Sequence, residues 1–273
     1  MTRPLVVFDT ETATGRGAPH LLEIGAVRVV DGDVVEHFER LVRPEVPIDE
    51  VVFGIHGIDD DMVRDARTAA EVLPEFLAFA GDDWLVAHNA QFDANVLGFE
   101  AARHGIELPS SPLLDTVKLA RRYVPESDDH KLETLTRHLE IDVDVHHRAL
   151  ADAVSCWKVL EECIERLTSD PTGPRGEALF LELLTRSGHR FTLSSAGPRP
   201  PKVPQRLRAI EHACRERTQL TLLYGEEGAP ARLPVAPRLL YEMGEKAYLE
   251  AECVRSGTIK TYRLDRVQRV LDA

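Results

Sequence analysis

Five residues in three short stretches have types and spacings suited to hydrolytic chemistry: Asp9 and Glu11 in Phe-Asp-Thr-Glu-Thr, Asp93 in His-Asn-Ala-Gln-Phe-Asp, and His147 with Asp152 in His-Arg-Ala-Leu-Ala-Asp. Four carboxylates gathered in a poorly solvated cleft repel one another strongly, so a cation must sit among them, and divalent metal is the usual solution. Two such ions roughly 3.5–4 Å apart can activate a water, orient a scissile phosphate and stabilise a leaving 3′ oxygen. The chemistry implied is that of a two-metal phosphodiesterase, in a chain with no other nucleophile motif. Hard oxygen ligands favour magnesium or manganese over zinc. An imidazole titrates near neutrality, so His147 can accept the proton of the attacking water while the carboxylates stay on metal. His146 is the rival for that role; His88 and His130 read as structural.

The elements that must carry these residues follow from apolar patterning. Leu5-Val6-Val7-Phe8 reads as a buried strand, and residues two apart on a strand share a side, so Asp9 and Glu11 can share a metal. Trp84-Leu85-Val86-Ala87 reads as another strand, after which Asn89 caps a helix whose apolar face is Phe92, Val96, Leu97 and Phe99. Asp93 then lies in that helix's first turn. A third helix carries the stripe Leu150, Ala153, Val154, Trp157, Leu160, Ile164 and Leu167, with Asp152 facing inward near its start. His147 is five residues earlier, about 140° away on an ideal helix, so it is placed on the preceding loop. Between these, Leu22–Val30 and Val34–Val42 flank Asp31-Gly32, a favoured hairpin turn, and Ala69–Ala80 reads as a crossover helix.

Taken singly, an Asp-x-Glu is usually a solvated turn, and a His followed five residues later by Asp is near chance. The ordered combination is what carries weight. As they stand, these residues resemble the DEDDh branch of the 3′→5′ exonucleases, together with Glu23-Ile24-Gly25-Ala26-Val27, Ile55-His56-Gly57-Ile58, Leu114-Asp115-Thr116 and Lys131-Leu132-Glu133-Thr134-Leu135. The likeness covers residues 1–168. It implies a ribonuclease-H-like α/β fold, here a mixed five-stranded sheet with flanking helices, in which Asp9, Glu11, Asp93 and Asp152 hold two Mg2+ or Mn2+ ions and His147 is the general base. It further implies that Thr10, Thr12 and Asn89 border the terminal nucleotide.

Composition bounds the rest. With 273 residues, 43% of them hydrophobic, the chain can build one large or two modest cores. No leader or membrane-length apolar run is evident, and four cysteines fit neither a zinc pattern nor a disulfide framework, as expected of a soluble protein in a reducing cytoplasm. The formal charge of −13 is unevenly spread: residues 1–170 carry 34 acidic and 16 basic side chains, residues 171–273 carry 12 and 17. An acidic nuclease half is a poor match for a polyanion, so a basic surface elsewhere on the chain would help to hold one. Exposed arginines that merely solubilise a small domain account for the same numbers.

Pro- and Gly-containing stretches near 169–176 and 194–201 divide the chain into 1–168, a connecting segment 169–202 with one short apolar helix, and 203–273. The last part opens with an amphipathic helix around 204–215 and continues in short β-rich runs at 219–224, 231–236, 238–243, 247–254 and 258–264, which suggests a small SH3- or Sm-like barrel. It resembles a WYL domain, a bacterial module, in Leu222-Leu223-Tyr224, Val235-Ala236-Pro237-Arg238-Leu239-Leu240, Lys246-Ala247-Tyr248-Leu249 and Thr261-Tyr262-Arg263-Leu264-Asp265-Arg266-Val267. Ala247 stands where the tryptophan of the name belongs. That resemblance implies binding of nucleic acid or a negatively charged ligand, with Arg238, Tyr248, Arg263 and Arg266 as the candidate surface; Tyr262 and Leu264 also fit plain strand core. The sequence thus points to a metal-dependent 3′→5′ exonuclease on single-stranded DNA or RNA 3′ ends, DNA favoured, with a place in DNA repair. A proofreading subunit of a DNA polymerase and a nucleic-acid-binding regulator with an inactive nuclease fold are the alternatives.

Overall fold

The computed structural model describes residues 3–143, 147–187, 192–226 and 230–271. The chain divides into two compact units, Met1–Gly197 and Pro198–Ala273.

The first unit runs β1 (Leu5–Thr12), β2 (Leu21–Val30), β3 (Asp33–Arg43), α1 (Glu50–His56), α2 (Asp60–Val63), β4 (Arg67–Thr68), α3 (Ala69–Ala80), β5 (Trp84–Ala87), α4 (Gln91–His104), β6 (Leu113–Asp115), α5 (Thr116–Tyr123), α6 (Leu132–His138), α7 (Ala149–Thr168) and α8 (Gly176–Arg186). The sheet order is β4-β3-β2-β1-β5-β6. β1, β2 and β3 are antiparallel neighbours, whereas β5 and β6 run parallel to β1. The five expected strands are joined by the two-residue β4 at the edge of β3. At the β2–β3 turn Asp31 and Gly32 have φ of 52° and 101°, the doubly left-handed geometry that matches strand twist and that Asp-Gly supplies cheaply.

Both faces of this sheet are covered, and β1 shows how the sequence divides them. Val6 and Phe8 join the core beneath α3 and α4, with Ile24, Val72, Phe76 and Leu97. Leu5 and Val7 point the other way, into the core built with α7 and α8 around Trp157, Leu160, Phe180 and Leu183. Strand alternation therefore assigns each residue that follows Phe8 to one helix layer or the other. α8, the apolar helix of the connecting segment, buries Leu179, Phe180 and Leu183 in that second core. Farther on, Leu193 enters the first core, and at Gly98 on α4 an added Cβ would lie 2.4 Å from the Gly197 backbone, a crossing that two glycines permit.

The second unit contains α9 (Arg208–Glu216), β7 (Leu220–Tyr224), β8 (Ala231–Met243), β9 (Lys246–Cys253), β10 (Ile259–Arg263) and β11 (Val267–Leu271). They form one antiparallel sheet ordered β10-β9-β8-β7-β11. The runs 231–236 and 238–243, read from sequence as two strands, are one strand: β8 crosses Pro237 with a register shift and no turn. β11 lay beyond the expected strands. Leu207 and Ile210 at the start of the helix pack with Leu222, Val235, Leu249, Tyr262, Leu264 and Val267, so Tyr262 and Leu264 are core. β10 and β11 share no ladder among the described residues; a short 3-10 turn, Leu264–Arg266, connects them. Among the described residues no helix is long and apolar enough to cross a membrane.

Candidate active site

The end of β1 is where the candidate residues meet. Asp9 shares the face of Leu5 and Val7 and points towards α7, while Thr10 points towards α4. Asp9 stands opposite Gly25 in the β1–β2 ladder. A Cβ on Gly25 would come within 2.1 Å of Leu150 N and 2.3 Å of the Ala149 carbonyl carbon, so the bare backbone there is what lets the first turn of α7 lie against the sheet. That landing brings Asp152 over the strand end. Single carboxylate oxygens of Asp9, Glu11 and Asp152 all lie within 4.8 Å of one another, a spacing at which one cation can be held.

Asp93 sits on the α4 side in the first helical turn, 1% exposed. Its Oδ1 accepts from Thr10 N at 2.9 Å and Thr10 Oγ1 at 2.8 Å. It lines the same cleft as the other three acids, of about 260 Å³, with His88, Phe92, Lys131, Leu132, Glu133 and His147. His147 precedes α7 with φ of 59°, an uncommon left-handed conformation for a residue with a Cβ, and its N–H donates to Asp152 Oδ2 at 3.1 Å. His146 lies outside the described residues.

Electrostatics separate these acids from ordinary surface groups. Burial, and then the charges of Asp93, Asp152, Glu11 and Glu23, push Asp9 well above the carboxylate range. Burial with Asp152, Glu23 and Asp93 raises Glu11 to about 8, against a smaller opposing pull from Arg148. Burial raises Asp93 to about 7, although the Thr10 hydrogen bonds favour its ionised form. Positive charge favours the ionised form of these acids, and three converging oxygen ligands are suited to bind it. The donor set therefore fits divalent metal, and enzymes of this superfamily use two such ions.

Two sequence expectations, the Asn89 cap and the buried Phe92, change in detail. Asn89 does not cap α4: it takes φ of 61°, its N–H donates to Asp115 Oδ1 at 3.2 Å, and Ala90 occupies the cap position without a side-chain bond. Thr10 spends its N–H and hydroxyl on Asp93, and buried Thr12 donates to the Thr14 carbonyl at 3.2 Å. Phe92, read as core from its i, i+4, i+7 spacing with Val96 and Phe99, is 47% exposed at the cleft. Helical spacing cannot tell a core from a cleft at a first turn, which explains the miss. His88 is structural: its ring nitrogens meet Thr116 Oγ1 at 2.8 Å and the His130 carbonyl at 2.9 Å, and burial lowers its pKa to about 4.

Sequence reasoning gave no role to Glu23 or Arg148, although both lie in quoted motifs. Glu23, fully buried on β2 and paired in register with Glu11, receives Arg148 Nε at 3.1 and 3.0 Å, Arg148 Nη2 at 2.5 Å and Ala149 N at 2.9 Å. In the second unit, the candidate ligand surface is largely engaged within the chain. Arg238 Nη2 contacts Glu252 Oε2 at 2.6 Å, Arg263 pairs with Asp265, and Tyr248 stacks on Tyr241 at 5.4 Å between ring centres. Arg266 is exposed.

A ribonuclease-H-like sheet that gathers carboxylates at the end of its central strand defines a nuclease class. This chain belongs to the exonuclease family: the family model described as exonuclease matches residues 6–160, and a WYL domain model matches residues 205–271. Among curated relatives, a PolC-type DNA polymerase III of Oceanobacillus iheyensis is 40% identical over 171 residues, covering 60% of this chain and 12% of that protein. Its counterpart in Bacillus subtilis is 36% identical over 168 residues, again 12% of its length. The chain thus spans about an eighth of these relatives. Exonuclease X, solved in complex with 5′ overhanging duplex DNA, is 30% identical with a TM-score of 0.52, over 67% of this chain and 99% of that one. Escherichia coli Exonuclease I, solved with a dT13 oligonucleotide, aligns with 99% of this chain and 66% of its own at a TM-score of 0.56; its 15% identity supports the fold alone.

Proposed function

We propose that the protein is a 3′→5′ exonuclease that hydrolyses single-stranded nucleic acid, DNA in preference to RNA, to nucleoside 5′-monophosphates. The observation that carries this reading is the convergence of Asp9, Glu11 and Asp152 oxygens within 4.8 Å beside Asp93 and His147 in one cleft. When bound at Asp9, Glu11, Asp93 and Asp152, two Mg2+ or Mn2+ ions supply the positive charge that favours water ionisation and departure of the 3′ oxygen. His147 accepts the proton of the attacking water, whose oxygen bonds to phosphorus as the bond to the 3′ oxygen breaks. Thr10 orients the Asp93 carboxylate. Thr12 and Asn89 border the terminal nucleotide, with the exposed Phe92 ring as a stacking face and Lys131 as a phosphate contact.

In this reading residues 1–168 are the exonuclease domain, 169–202 a connector with its helix, and 203–273 a WYL-like domain that binds nucleic acid or a regulatory ligand through Arg238, Tyr248, Arg263 and Arg266. The DNA-bound state of Exonuclease X, at 30% identity, supports DNA as substrate. Similarity to PolC-type polymerases favours a second reading, proofreading beside a polymerase, which copurification of a polymerase with the full chain would support. The deciding experiment is degradation of single-stranded DNA and RNA, labelled separately at each end, with Mg2+, Mn2+ or EDTA, for wild type, Asp9→Ala and His147→Ala. Expected is metal-dependent laddering from the 3′ end that each substitution lowers by roughly 10²-fold or more. Binding without cutting under all conditions overturns the enzyme and leaves a nucleic-acid-binding regulator.

A further inference from the structure

Glu23 and Arg148 take no part in the chemistry assigned to the five site residues, yet they join the two chain segments that form the site. Glu23 lies on β2 opposite Glu11, and its carboxylate, 0% exposed, faces the start of α7. Arg148 is the helix's N-cap residue, but its own side chain makes no cap bond. The capping group comes instead from the sheet: Glu23 Oε2 accepts from Ala149 N at 2.9 Å, and both Glu23 oxygens accept from the Arg148 guanidinium. One carboxylate thereby fixes two consecutive residues, by main chain and by side chain. The next residue back is His147, whose left-handed backbone is held on its other side by Asp152 Oδ2. A residue in a sparsely populated conformation persists only where its surroundings over-determine it, and these contacts do so.

We propose that Arg148, through its fork onto Glu23, is a positioning residue for His147: it sets the backbone from which the imidazole reaches the cleft. The proposal rests on His147 being the general base. A lysine at 148 would keep the positive charge but lose the planar fork that engages both carboxylate oxygens. A purely structural clamp would affect stability and leave the coupling to His147 at zero.

The test uses full-length protein, single-stranded DNA labelled at its 5′ end, and Mn2+. Arg148→Lys is expected to lower kcat about 10–100-fold, the loss that follows from misplacing a catalytic group by the order of an ångström. KM is expected to stay within about twofold, because the substrate contacts are untouched. In a His147→Ala background the same substitution is expected to lower kcat less than about threefold, since an absent base cannot be misplaced. Equal losses in both backgrounds, or no loss in the first, overturn the proposal. Hydrogen exchange of metal-free protein gives an independent readout: amides of residues 147–152 are expected to exchange faster in Arg148→Lys and in Glu23→Gln, with β1 and β5 unchanged. Unchanged exchange at 147–152 also overturns it. A wild-type chain that cuts nothing defeats the exonuclease reading while exchange still decides the clamp. A His147→Ala protein as active as wild type defeats the base assignment and the positioning role together.

Discussion

Glu100 on α4 and Glu11 on β1 are both carboxylates withdrawn from water in the first unit, but their surroundings differ. Glu100 accepts from Leu21 N and Arg103 Nη1, each at 2.9 Å, with His104 Nε2 at 3.4 Å. Burial alone would raise its pKa, yet the bonds from His104, Arg103 and Leu21 bring it below the usual value. Glu11 has Asp9 and Asp152 for neighbours and is raised to about 8. Where the chain supplies its own cation, a buried acid is framework. Where it supplies more acids, the site has to recruit charge from solution.

The sharpest way to break this contrast is to neutralise each acid in turn. Glu100→Gln strands Arg103, 2% exposed, without its carboxylate, and is expected to lower the unfolding free energy by about 3–5 kcal/mol in urea titration. A loss below about 1 kcal/mol would erase the distinction between the two acids. Glu11→Gln removes repulsion and is expected to stabilise the metal-free protein by about 1–2 kcal/mol at pH 8 while removing metal-dependent cutting.

Acidity separates the same two residues more finely. Because the folded protein binds the Glu11 proton more tightly than the unfolded chain does, the associated stability is lost as pH rises from the ordinary 4.5 to about 8. In EDTA the thermal midpoint of wild type is expected to fall across that window, less so in Glu11→Gln, and Mn2+ at pH 8 should restore it. Glu100 has the opposite sign: its contribution is present above its ordinary pKa and fades in more acidic solution as pH falls through the lowered folded value. The smallest effect belongs to the second unit, where the part-exposed Arg238–Glu252 pair makes Arg238→Ala worth less than about 1 kcal/mol by calorimetry.

Much of this arrangement was legible before any coordinates. The Asp31-Gly32 hairpin, the strand at 84–87 and the helix at 69–80 follow from turn chemistry and apolar period, and all three survive in three dimensions because local and global preferences agree there. The convergence of Asp9, Glu11 and Asp152 followed from motif order. What could not be read is which partner a side chain takes across the sheet. Glu23 sits 125 residues from Arg148 in the chain, and nothing local to either announces the other. Phe92 shows the complementary failure, a residue with core spacing that faces the cleft because its helix begins there. In the second unit Pro237 looked like a break between strands, but a register shift carries β8 through it.

The backbone approach at Gly25 also bears on the order in which a newly made chain acquires its chemistry. Asp9 and Glu11 leave the ribosome before the acid that completes their cluster, which arrives on α7 more than a hundred residues later and settles only once that helix has docked on the glycine. Until then the growing polypeptide holds an incomplete acidic cluster. The three-carboxylate spacing suited to a divalent cation is thereby tied to one late packing event.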